Sequence, residues 1–133
     1  NTLFAVTQSS GSSNRTFFSS KSNFHRLEYN DGGFMEMVAG GVVGGNGTGA
    51  TTDPQVNTGL FNGGNSLIRV NGSQVGSGNA GSNDLQGITV GATSRDGRKY
   101  NGSIGEILVY PQDKSGIFSD VEAYLARKWS ITI

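Results

Sequence analysis

Sugars are recognised by aromatic rings, which stack on the apolar faces of pyranoses, set beside amides and carboxylates that satisfy hydroxyls. Two stretches of this 133-residue chain carry that mixture: His25, Arg26, Tyr29, Asn30 and Asp31, and then Arg95, Asp96, Arg98, Tyr100 and Asn101. His25, Tyr29, Asn30, Asp31, Asp96, Arg98 and Tyr100 are the candidate ligand-binding residues. Each tyrosine could equally cover a core, and His25 reads as a half-exposed strand residue.

Other chemistries find less support. Glycoside hydrolysis needs two carboxyl groups flanking the scissile bond. No closely spaced Glu-x-Asp-x-x-Glu set occurs: Asp31 falls in a turn after Glu28, Glu36 stands alone on its strand, and Glu106 belongs to a strand where a structural role is simpler. His25 is the only histidine, and no G-x-S-x-G elbow offers it a nucleophile. Gly45 to Ala50 matches G-x-G-x-x-A, yet no helical pattern follows to aim an N-terminus at a phosphate. No catalytic residue is assigned. Asp31, Asp53, Asp84, Asp96 and Asp113 are hard oxygen donors in expected loops and raise calcium as an option. None has EF-hand spacing, and loop aspartates commonly cap their own turns, so no metal and no cofactor is assigned.

Composition limits what can position these groups. Gly, Ser, Asn and Thr make up 60 of the 133 residues, and hydrophobic residues only 34%. Such a chain favours short strands and turns over long helices. Its length suits one domain, residues 1–133. Ten basic residues balance ten acidic ones, so the positive field that draws proteins to nucleic acid is missing. No apolar run approaches the roughly 20 residues of a membrane span, and membrane insertion is not expected. Without cysteine there is no disulfide and no thiolate metal site.

Apolar alternation predicts strands near 2–8, 15–21, 24–30, 33–39, 56–61, 66–71, 86–92 and 102–110, punctuated by Asn-Gly and Asp-Gly pairs suited to tight turns. In Leu67 to Asn71, Ile68 and Val70 take one face and Arg69 marks the wetter one. The small residues from Gly40 to Thr52 read as a flexible surface loop. One helix is expected near the end. Ser119 and Glu122 have the spacing of a capping box, and Val121, Tyr124, Leu125, Lys128 and Trp129 form a stripe that should dock on a sheet.

The segment Asn101-Gly-Ser-Ile-Gly-Glu-Ile-Leu-Val-Tyr110, followed by Ser119-Asp-Val-Glu-Ala-Tyr-Leu-Ala-Arg-Lys-Trp129, resembles the C-terminal signature of bacterial and phage laminin-G-like domains, of the concanavalin-A-like superfamily. Thr2 to Val6 looks like that family's early core strand, and Leu67 to Gly72 like its hairpin before a Val-containing return strand. The resemblance implies an all-β antiparallel jelly-roll sandwich with one short C-terminal helix, and strands of the family's usual domain that would precede Asn1. On that expectation Thr2 to Gln8 is an edge that pairs with an upstream segment or a neighbouring chain. It also implies a non-catalytic display or adhesion module on a virion or at an extracellular or cell surface. Its partner would be surface glycan, or a neighbouring virion or cell-surface protein within an assembly.

Overall fold

The computed structural model describes residues 1–10, 15–21, 25–94 and 97–133, apart from the side chains of 46–48. In chain order the elements are β1 (Thr2–Ser9), β2 (Arg15–Ser19), β3 (Arg26–Tyr29), β4 (Phe34–Val38), β5 (Val42–Gly49), β6 (Gln55–Leu60), β7 (Ser66–Val70), β8 (Ser73–Gly78), β9 (Thr89–Val90), β10 (Gly102–Tyr110) and the helix α1 (Phe118–Trp129). The strands form two five-stranded sheets, β10-β1-β6-β7-β8 and β5-β4-β3-β2-β9. Neighbouring strands pair antiparallel, giving the sandwich with one C-terminal helix that the sequence implies.

Strand β1 explains the layering. Successive side chains of a strand point to opposite faces. Leu3 and Ala5 accordingly enter the core between the sheets with Leu27, Tyr29, Met35, Met37 and Ile68. Phe4 and Val6 point the other way, into a second core with Phe118, Leu125 and Ala126 of α1. The molecule is thus helix on sheet on sheet. Fully burying a side chain such as Phe4 or Leu125 contributes about 1.5–3 kcal/mol, so both faces of β1 hold the domain together. Thr2 to Gln8 is therefore not an edge: β1 pairs with β10 on one side and β6 on the other.

The helix differs from its expected form. Ile117, not Ser119, precedes its first turn, and no side chain caps it. Glu122 is instead buried against the sheet, accepting from Thr58 Oγ1 at 2.8 Å, from Arg69 Nε at 2.8 Å and from Arg69 Nη2 at 3.0 Å. Arg69 also donates to the Gly72 carbonyl and lies over the Phe118 ring. The face expected to be wet is thus the one the helix covers, and the Glu122 carboxylate raises the guanidinium's pKa further. With Glu122 inward, Phe118, Leu125 and Ala126 make the buried stripe, while Tyr124 and Trp129 remain 46% and 38% exposed. The indole lies over Gly105, where any Cβ would come within 2.9 Å of the ring.

The Gly-rich run from 40 to 52 is mostly strand β5, not a loop. Its glycines let β5 and β8 approach at the rim shared by both sheets: a Cβ at Gly76 would lie 2.5 Å from the Gly44 carbonyl oxygen. The strand expected at 86–92 shortens to Thr89–Val90. Asn71 and Gly72 take φ of 46° and 78°, the left-handed pair that a tight hairpin between β7 and β8 needs.

Removing one partner of a buried ion pair leaves the other uncompensated. Arg69→Met and Glu122→Gln should each lower unfolding stability by about 3 kcal/mol in urea titrations. The double replacement by apolar residues should cost less than the sum of the two single changes.

Candidate functional site

With α1 over the outer face of the first sheet, the open sheet face is the outer face of the second. Alternation decides what it presents. In β3, Leu27 and Tyr29 point into the core, so Arg26 and Glu28 point out; in β4, Met35 and Met37 point in, so Phe34 and Glu36 point out. Register places Glu28 opposite Glu36 on one side and opposite Thr16 on the other.

Glu28 is the centre of this face. Its Oε1 accepts from Arg26 Nε at 2.6 Å and from Arg98 Nη1, and its Oε2 accepts from Thr16 Oγ1 at 2.6 Å. The carboxylate is fully buried, and a buried charge is tolerated when paired and hydrogen-bonded in this way. Arg98 arrives from a segment that runs beside β2, where the Thr16 amide donates to the Arg98 carbonyl at 3.2 Å. The two candidate stretches of the sequence therefore meet on one carboxylate, 70 residues apart in the chain.

Around this centre, Asn30 organises the turn between β3 and β4. Its Oδ1 accepts from the amides of Gly32 and Phe34 at 3.0 and 3.1 Å, and its Nδ2 donates to Glu36 Oε2 at 3.4 Å. Asp31 is exposed at the tip of that turn. Phe34 is 44% exposed beside Glu36, with its ring against Gly32. An aromatic ring, an amide, the Glu36 carboxylate and the part-exposed Arg98 thus share one face, over the buried Glu28. Glu28 and Glu36 are directly opposed across strands, closer than their sequence spacing suggests. Two guanidiniums and a hydroxyl nevertheless occupy the Glu28 oxygens, which suits an anchoring role better than proton transfer.

The other expected residues go elsewhere. His25 is buried, not half-exposed: its ring stacks on Phe61 with centroids 3.8 Å apart, and Nδ1 lies 3.1 Å from the Asn83 carbonyl oxygen. Burial lowers its pKa. Tyr29 is 1% exposed and packs on Phe17, with its hydroxyl donating to Gln55 Oε1 at 2.8 Å; burial pushes its pKa up to about 12. Tyr100 packs edge-on against Phe17 and is only half-buried, with a pKa likewise raised by burial. Both tyrosines pack from within, Tyr29 because its position on β3 points it at the core, and Tyr100 from the segment before β10. Asp96 lies outside the described residues.

Thr16, Phe34 and Glu36 were missed as site residues. The alternation Phe34-Met35-Glu36-Met37 could have placed Phe34 and Glu36 on one outward face, but nothing local specifies that Thr16 is their neighbour across two strands. Among the described residues no three His, Asp or Glu side chains cluster as a metal site. Asp113 caps its own turn: Oδ1 accepts from the Ser115 amide at 2.8 Å, which holds the carboxyl below the usual range. No helix among the described residues is long and apolar enough to cross a membrane.

No family model matches the chain, and no curated protein is similar to it in sequence. Among solved structures the fold is similar to that of a putative carbohydrate binding protein from Bacteroides ovatus ATCC 8483, with a TM-score of 0.66 over 80% of this chain at 16% identity. The chain spans 35% of that protein's length. At such identity the likeness establishes the sandwich fold.

The environment of His25 sets a pH dependence. Its folded pKa lies below the ordinary 6.5, so below pH 6.5 the unfolded chain binds the proton more readily than the folded one. Unfolding midpoints should therefore fall as pH drops below 6.5 and level off once the folded imidazole also protonates. In His25→Gln that segment of the curve, followed by thermal melts at closely spaced pH values, should flatten.

Proposed function

We propose that this domain is a non-catalytic carbohydrate-recognition module of laminin-G-like type, working from the open face of the β5-β4-β3-β2-β9 sheet. The observation that carries this reading is the convergence of two distant segments on Glu28, beside an exposed Phe34 flanked by Glu36 and Asn30. An exposed ring with ordered polar neighbours fits a sugar's alternation of CH faces and hydroxyls. The fold shared with a protein named for carbohydrate binding supports the same reading. So does the engagement of both Glu28 oxygens, which argues for binding without turnover.

In this reading the rigid sheet presents the face with little rearrangement on binding, as suits an adhesion or display module on a virion or cell surface. The ligand is a surface glycan. A second reading, assembly through strands supplied by a neighbouring protein, is favoured by β10, nine residues long with a strand on one side only among the described residues.

A glycan array followed by calorimetry tests the first reading. Phe34→Ala and Glu36→Gln should each weaken binding about tenfold while the melting temperature stays near wild type. A blank array with folded protein would overturn it. For the second reading, strand supply in trans predicts self-association or co-assembly by size-exclusion chromatography, and a stable isolated monomer would contradict it.

A further inference from the structure

The rotation of α1 that buries Glu122 has a second result: it turns Tyr124 and Trp129 outward above the free edge of β10. Between helix and strand lies an open groove of about 420 Å³. Leu108 and Val121 line it where they pack on the second core. Tyr110 and Tyr124 add aromatic rings, while Glu106 and Asp120 add carboxylates. The Tyr110 ring is held edge-on against Phe4 with centroids 6.0 Å apart.

A polar clasp restrains the outward rings. Glu106 Oε2 accepts from Trp129 Nε1 at 3.0 Å and pairs with Lys128 Nζ at 2.9 Å. Lys128 Nζ also lies 3.3 Å from the Tyr124 hydroxyl and 5.5 Å from its ring centroid. Lys128 and the indole hold the Glu106 carboxyl below its usual pKa, so it remains an acceptor through mildly acid pH. Ordering flexible rings before binding removes an entropic cost from the complex.

We propose that this groove is a second carbohydrate subsite, for neutral pyranose units, separate from the open sheet face. This rests on the carbohydrate reading of the domain and adds a site on the opposite side of the sandwich. The match is chemical. Tyrosine rings over an aliphatic floor accept the CH faces of a sugar, and carboxylates at the rim accept its hydroxyls. The charges around the groove balance, with Glu106 paired to Lys128 and Asp120 offset by Lys114, whose Nζ lies 5.8 Å from the centroid of the Tyr110 ring, so a neutral sugar fits without leaving an uncompensated charge.

Trp129 is the only tryptophan of the chain; it lies beside the groove rather than in its lining, and its bond to Glu106 at the rim lets its fluorescence sense occupancy there while it stays remote from the sheet face. The test titrates the protein with short cello-, xylo-, manno- and chito-oligosaccharides, following both Trp129 emission and calorimetric heat. At least one neutral series should change the emission saturably. Tyr124→Ala and, as a milder change, Asp120→Asn should weaken that response, the first about tenfold, while Phe34→Ala leaves it intact. Oligogalacturonate should give a weaker response. Calorimetric binding with unchanged emission and no effect of Tyr124→Ala would overturn the groove while leaving the sheet-face reading standing. Absence of heat with every glycan of the array would overturn both.

Discussion

The buried pair of Arg69 and Glu122 is the constraint on which the rest of the arrangement turns. A carboxylate placed between a helix and a sheet must be met by a cation and hydrogen bonds, and Glu122 finds these only in Arg69 and Thr58 on the sheet below. That demand sets the rotation of α1 about its own axis. Once Glu122 faces inward, Phe118, Leu125 and Ala126 must fill the second core, and Tyr124 and Trp129 must leave it. Apolar burial alone would have accepted a stripe through Tyr124 and Trp129; the charge decides between the two.

Seating the helix also makes the two sheets unlike. One sheet spends its outer face on α1, while the other keeps its outer face free for the Arg26-Glu28-Arg98 cluster. The two charge clusters are built alike, each with a carboxylate at most 1% exposed, a threonine hydroxyl and at least one guanidinium, yet their surroundings differ. Glu122 lies beneath a helix, where it anchors packing. Glu28 lies just beneath an open face, where its partner Arg98 keeps 39% of its side chain exposed. The same chemistry thus lies between two layers on one side and next to solvent on the other.

Much of the framework was legible residue by residue. The alternation in β1 and β10, the turn at Asn71-Gly72 and the existence of the final helix follow from local pattern. The site was legible only in fragments. Arg98, Asn30 and Asp31 lie on the outer face of the second sheet, but His25 and Tyr29 belong to the interior, and the exposed ring is Phe34. The error has one cause: a short strand shows which residues share a face, but not which of its two faces meets the core.

Local sequence determined most of the strands, the turn at Asn71-Gly72, the helix and the all-β class, because these depend on period, propensity and φ angles within a few residues. Only tertiary structure decided which face of each strand is wet, that β1 is central, that the glycine run is a strand, and that Glu122 abandons a capping role for Arg69. Those outcomes depend on partners far away in the chain, 53 residues for Arg69 and Glu122 and 70 for Glu28 and Arg98. A buried charge seeks its counter-charge across the fold, and no local pattern records where that partner will be.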